Sequence, residues 1–148
     1  MNQLEVILTA LDQCSAPMLW MPPATEEELD AFQTFTGVPI PAPIRRLLLL
    51  SNGMEINVPG TQFYTLSPVW PGLLPDSLPG LLEALWDHTG LLERRGFYPL
   101  GRTAFGDLLF LDVKTQEVVQ WDHEAGEEFL RWPNLEDYLD EELRACLE

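Results

Sequence analysis

The sequence predicts an α+β fold, a twisted and mostly antiparallel sheet with helices packed over it. Apolar residues recur at helical spacing near the N-terminus, through residues 25–50 and again over Leu135–Leu147. Between Phe97 and Trp121 they fall instead into short strand-length runs separated by turn residues. The chain has 148 residues, 46% of them hydrophobic, enough for one core, and no internal repeat divides it. Residues 1–148 are therefore expected to form a single domain.

In chain order, Leu4, Ile7, Leu8 and Leu11 place a helix over the first 13 residues. Pro17, Pro22 and Pro23 break the apolar stretch that follows, so Cys14–Pro23, with Trp20 inside it, reads as a packed, partly extended connector. Thr25 and Glu28 form a capping box, and Glu26, Glu27 and Asp30 suit the positive end of the helix that starts there. Leu29, Phe32 and Phe35 supply its buried stripe, and Gly37 ends it. Val38–Ile40 leads to a second helix entered at Pro41 or Pro43. In that helix Ile44, Leu47, Leu48 and Leu50 face the core, Arg45 and Arg46 face water, and Asn52-Gly53 stops it.

A strand is expected at Gln62–Leu66. Residues 67–80 then carry Pro68, Pro71, Pro75 and Pro79, too many breakers for a regular element. The same segment holds Val69, Trp70, Leu73, Leu74 and Leu78. Two readings stand: these residues tuck into the edge of the core, or the segment is a partner-contact loop with Trp70 at its centre. A short helix over Leu81–His88 presents Leu82, Leu85 and Trp86, and Arg94-Arg95-Gly96 ends the connector after it. Strands follow at Phe97–Leu100, Leu108–Val113 (nearly continuous apolar, hence internal) and Val118–Trp121, with a hairpin turn at Lys114–Glu117. Asp122–Gly126 is a loop, and Glu127–Arg131 a short strand or a turn. Pro133 and Asn134 lead into a last helix, Leu135–Leu147, with Leu135, Tyr138, Leu139 and Leu143 inward and five carboxylates outward.

The ordered set of an acidic capped helix, Gly37, Val38-Pro39, a leucine-rich helix and Asn52-Gly53 resembles the N-terminal signature of the SUKH superfamily, the SMI1/KNR4 family. Tyr98–Glu124, with Gly106-Asp107 opening one strand and Trp121-Asp122-His123-Glu124 closing the next, resembles that family's strand pair. The stretch from Phe129 to Leu143 resembles its closing helix. The sequence departs from the pattern where members often carry glycine: Gln116-Glu117 occupy the hairpin turn, and Thr103-Ala104-Phe105 precede Gly106. The resemblance implies a single SMI1/KNR4-like domain that acts by binding, in bacteria most often as an immunity protein against a delivered toxin. Some eukaryotic relatives act instead as regulatory adaptors, which is the alternative reading.

Composition narrows the function classes. Net charge is −16, and from Asp122 to the end ten acidic residues face two basic ones. Such a field repels nucleic acid and anionic membranes and attracts basic partners, although an acidic surface also serves solubility alone. No apolar run is long enough to span a membrane, and the N-terminus lacks the basic start of a signal peptide. A cytoplasmic protein is expected, with Cys14 and Cys146 as two unpaired thiols and a disulfide as the alternative.

No catalytic set is visible. His88 and His123 are the only histidines, and neither cysteine has a histidine or second cysteine near it in sequence. Asp122, His123 and Glu124 are potential metal ligands, but consecutive residues of an extended segment point to opposite faces, so no metal is expected. Asp107 is expected to accept backbone hydrogen bonds in its own turn. No cofactor motif is present. The expectation is a non-enzymatic module whose partner is a basic protein, a toxin domain such as a nuclease. Its contact candidates are Trp70 and the carboxylates Glu124, Glu127 and Glu128.

Overall fold

The computed structural model describes residues 2–14, 18–56, 60–66, 80–104 and 106–147. Helices α1 (Gln3–Cys14), α2 (Glu26–Thr36), α3 (Ala42–Leu50), α4 (Leu81–Asp87), α5 (Thr89–Arg95) and α6 (Leu135–Leu147) accompany seven strands. The strands are β1 (Leu19–Trp20), β2 (Met54–Ile56), β3 (Thr61–Phe63), β4 (Phe97–Thr103), β5 (Leu108–Asp112), β6 (Val118–Asp122) and β7 (Glu127–Trp132). They form one open sheet in the order β1 to β7, each antiparallel to the next. The expected α+β class and antiparallel sheet are what the chain adopts.

Strand alternation gives the sheet two apolar faces. On one, Met54, Ile56, Phe63, Tyr98, Leu100, Leu109, Leu111 and Val118 pack with buried residues of α1, α2, α3, α4 and α6. On the other, Phe97, Phe110 and Val119 form a smaller cluster capped by Leu91 of α5, with Leu108 and Trp121 beside it. Between β3 and β4 the backbones meet closely: a Cβ on Gly101 would lie 2.3 Å from the Gln62 carbonyl oxygen, so only glycine fits there.

The capping box of α2 forms as the sequence predicts. The Glu28 amide donates to Thr25 Oγ1 at 3.1 Å, and the Thr25 amide to Glu28 Oε1 at 2.9 Å; Gly37 closes the helix at φ 72°. Arg45, expected in water, instead joins α3 to α2 through Glu26 at 2.9 Å and Asp30. Arg46 approaches Glu136 of α6. Where α3 ends, Ser51 and Asn52 are buried and hydrogen-bonded. Ser51 Oγ accepts from the Met21 amide at 2.9 Å and donates to the Gly53 carbonyl at 2.7 Å. Asn52 Oδ1 accepts from the Leu66 amide at 2.8 Å and the Thr65 hydroxyl at 3.1 Å, while its own amide donates to the Pro22 carbonyl. The turn therefore fastens α3 to the connector before α2 and to the segment after β3.

Several expectations change. Cys14 and Cys146 are joined as a disulfide between α1 and the last turn of α6, with Cα atoms 6.3 Å apart, so they are not unpaired thiols. The two helices pack side by side through their leucine stripes, which brings the chain's ends together. Closing a loop of this length is worth about 5 kcal/mol in chain-entropy terms when the bond is formed. Phe35 is not in the buried stripe of α2 but 72% exposed. A second short helix, α5, fills what reads from sequence as connector. The expected strand at Gln62–Leu66 is β3, shifted to Thr61–Phe63, and the Glu127–Arg131 alternatives resolve as strand β7. The proline-rich loop with Trp70 lies outside the described residues.

Asn52→Ala leaves the Leu66 amide buried without its acceptor, at about 2 to 3 kcal/mol. Thr25→Ala removes one exposed cap, at about 1 kcal/mol. Urea denaturation of both variants is expected to show that order; equal losses would contradict the buried role of Asn52.

A second buried network fixes α6 to the sheet. Tyr138 Oη lies 3.0 Å from Thr61 Oγ1, which also donates to Glu142 Oε1 at 3.2 Å, while Glu142 Oε2 has no hydrogen-bond partner among the described residues. Burial pushes the Glu142 carboxyl above the ordinary carboxylate range. Its folded pKa thus exceeds its unfolded one. The group's favourable contribution is complete below the unfolded value and is lost as pH rises through the raised one. Glu142→Gln, which imitates the protonated acid, is expected to raise the melting temperature at pH 7 and change it little at pH 4. A destabilised variant at pH 7 would contradict this.

Candidate functional site

Of the residues singled out in the sequence, Asp122, His123, Glu124, Glu127 and Glu128 lie on the β6–β7 hairpin, and Trp70 lies outside the described residues. Asp122 ends β6 and forms the turn: its Oδ1 accepts from the amides of Glu124 at 2.9 Å and Ala125 at 3.1 Å, and Gly126 completes the bend at φ 69°. His123 turns back to Asp107, donating from Nδ1 to Oδ1 at 2.8 Å; Gln120 Nε2 donates to the other Asp107 oxygen at 2.9 Å. Asp107 thus binds across to β6 and its turn rather than serving the turn after Gly106.

The donor atoms of Asp107, Asp122 and His123 all lie within 4.8 Å of one another. They converge because Asp122 is the last strand residue and His123 the first of the turn, so the alternation that separates neighbours in a strand no longer applies. Glu124 points elsewhere. Both oxygens of Asp107, one of Asp122 and Nδ1 of His123 are hydrogen-bonded within the protein.

One strand away, Arg131 gathers three carboxylates. Its Nη1 reaches Asp112 Oδ2 at 3.0 Å and Glu117 Oε1 at 2.7 Å, and its Nη2 reaches Glu128 Oε1 at 2.8 Å. The guanidinium also lies 5.8 Å from the Phe97 ring centroid. It ties β5, the approach to β6, and β7 together, and gives the buried Asp112 a counter-charge. The three candidate carboxylates are therefore not equivalent. Glu128 is held by Arg131, which keeps its carboxyl below the ordinary range. Glu124 and Glu127 are exposed, and Glu124 comes no nearer than 3.9 Å to His123.

β7 itself was not legible as a surface. Among the described residues it pairs only with β6, which leaves its outer edge without a described partner, and Phe129 and Leu130 in its middle are 55% and 48% exposed. A register shift opposite Gln120/Trp121 leaves Phe129 without a partner, which breaks the period-2 pattern that would have marked it.

A second concave surface lies where the end of α2 meets α4 and α5. Phe35, Val38, Leu82, Trp86, Leu92 and Glu93 are among the residues lining a groove of about 420 Å³. Trp86 is 66% exposed there. The sequence places Trp86 on a presented helix face but assigns Phe35 to the core, and so does not foresee the groove.

Catalytic chemistry finds little footing in the two histidines. His88 stands edge-on to Phe110 with ring centroids 5.5 Å apart, and burial lowers its pKa. Among the described residues neither imidazole hydrogen-bonds a hydroxyl or thiol. The Asp107 contact raises the His123 pKa, and His123 in turn holds the Asp107 carboxyl low. The pair is thus fully charged between those two values. The contribution of His123 fades as pH rises through its raised pKa, and that of Asp107 as pH falls through its lowered one. An NMR titration is expected to place His123 above the ordinary 6.5 and His88 below it, with Asp107→Asn returning His123 towards 6.5. The reverse order would contradict the geometry.

Residues 23–141 match the model of the SMI1/KNR4 family (SUKH-1). No curated protein matches the chain. The matched span runs from the connector before α2 into α6 and takes in the Asn52 turn, both exposed surfaces and the Asp107–His123 contact; α1, Cys14 and Cys146 lie outside it. Members of this family are generally non-catalytic and include toxin immunity proteins. No helix among the described residues is long and apolar enough to cross a membrane. A capped helical pair, a meandering sheet and a closing helix in this order agree with that match: the chain belongs to the SMI1/KNR4 (SUKH-1) family.

Proposed function

We propose that this protein is an immunity protein, which binds a basic toxin domain and blocks it without chemistry of its own. The observation that supports this best is the open edge of β7. Exposed Phe129 and Leu130 sit there beside Glu124 and Glu127, on a chain with net charge −16. Apolar residues at the centre of a contact supply residence time, and unpaired carboxylates around them supply steering and orientation. A nuclease fits this surface as a target class, because its substrate-binding face is basic and the carboxylates present charge where phosphates would lie. The proposed location is the cytoplasm.

The test uses a candidate toxin polypeptide taken from among the products of neighbouring genes. Replacing Glu124 and Glu127 with glutamine is expected to lower its association rate about threefold to tenfold at low salt and to flatten the salt dependence, since such attraction is screened within about 8 Å at physiological ionic strength. Glu128→Gln is expected to change the rate less, because Arg131 already neutralises that carboxylate. Tight binding indifferent to salt and to the double substitution would overturn the role of this edge. Absence of binding would overturn the immunity reading and favour a regulatory adaptor.

A further inference from the structure

The groove between α2 and the α4–α5 pair is a surface of a different kind from the β7 edge. Phe35 and Trp86 are the two most exposed aromatic side chains among the described residues, and they line the same groove from different helices. Scattered exposed apolar residues are ordinary, but two large aromatics in one concavity are the usual form of a binding anchor site. Leu82, Leu85, Leu92 and Val38 complete the apolar lining.

What fits is decided by the polar groups. The Thr89 hydroxyl is spent inside the helix pair, on the Leu85 carbonyl at 2.8 Å and the Trp86 carbonyl at 3.0 Å. Thr36 Oγ1 is likewise occupied locally, with the Val38 amide donating to it at 3.2 Å. The groove walls are helical side chains, so no strand edge is offered. An extended segment laid there would leave its own amides and carbonyls unpaired, whereas a helix satisfies its backbone internally and can insert side chains alone. The charge around the groove is acidic. Glu93 lines it, and exposed Glu83 and Asp87 stand one turn apart on α4 beside Trp86. The nearest cation on α5, Arg94, donates from Nε to the Gly90 carbonyl at 3.1 Å. A second copy of this chain would bring the same acidic rim and another −16 charges to the contact.

We propose that this groove docks an amphipathic helix of a protein partner, one whose aliphatic side chains insert between Phe35 and Trp86 and whose lysines or arginines meet Glu83, Asp87 and Glu93. The proposal rests on the reading of the chain as a binding protein. It names a second contact surface, separate from the β7 edge.

The test is independent of any natural partner. An 18-residue leucine–lysine peptide with helical amphipathic spacing is titrated into ¹⁵N-labelled protein and followed by NMR. A composition-matched peptide with its residues permuted to destroy that spacing serves as the control. The helical peptide is expected to shift the amides of Phe35, Leu82, Trp86 and Leu92 and to bind at least tenfold more tightly than the permuted one. Phe35→Ala with Trp86→Ala is expected to weaken it at least tenfold while leaving the melting temperature near that of the parent, since both side chains face solvent. Glu83→Gln, Asp87→Gln and Glu93→Gln together are expected to reduce its affinity severalfold and to flatten its salt dependence. Three outcomes would overturn the proposal: equal binding of the two peptides, shifts confined to the β7 edge, or groove shifts that depend on protein concentration without peptide and so report a second copy. Each leaves the toxin kinetics above free to succeed or fail separately.

Discussion

The fold depends on hydrogen bonds made at one turn by the Ser51 hydroxyl, the Asn52 side-chain carbonyl oxygen and the Asn52 backbone amide, buried where α3 stops. Asn52 Oδ1 serves the Leu66 amide and the Thr65 hydroxyl, and its own amide serves Pro22. Ser51 serves Met21 and Gly53. Three pieces of chain distant in sequence, Met21-Pro22, the Ser51–Gly53 turn and Thr65-Leu66, can satisfy these groups only in one arrangement. That arrangement sets α3 against the connector before α2 and directs the chain into β2. It also fixes where the segment after β3 leaves the sheet. Hydrophobic burial supplies most of the driving force, but it is not directional; these bonds select the register in which burial occurs.

The remaining cross-links follow the same logic at the other end of the sheet. Thr61, Tyr138 and Glu142 fasten α6 over β3, and Arg131 joins three carboxylates across β5 to β7. Together they make the last hairpin rigid without covering its outer edge. A binding surface benefits from this, because a preorganised strand loses little entropy on contact. The disulfide ties α1, whose Leu4, Ile7, Leu8 and Leu11 belong to the main core, to α6 through two residues that lie outside the span matched to the family.

Much of this was legible in the sequence, for reasons that can be named. The helices α1, α2, α3 and α6 announce themselves by apolar stripes at helical spacing, and α2 also by its capping box. The strands of the last hairpins show as short apolar runs. Helix α5 was missed because its two leucines, Leu91 and Leu92, are adjacent and give no period. Phe35 falls on the helical repeat of Leu29 and Phe32, but the turn at Gly37 comes before any neighbour can cover it. The cysteines lie at opposite ends of the chain, and only the α1–α6 packing, a tertiary fact, brings them within bonding distance. At Gln116 the backbone takes the left-handed conformation at φ 66°, which glycine adopts more easily. Of the site, the carboxylates were found by charge, whereas the edge and the groove arise from which neighbours are missing, and sequence pattern does not encode that.

The central claim is that this chain acts by occupying a partner and not by turning one over. A titration of a candidate toxin's activity, the candidate taken from among the products of neighbouring genes, against increasing amounts of this protein tests it most directly. The account predicts a linear fall to complete inhibition at one equivalent, stable on long incubation, with both proteins recovered intact from the complex. Undiminished toxin activity in the presence of excess protein would contradict it, as would toxin inactivated by substoichiometric amounts.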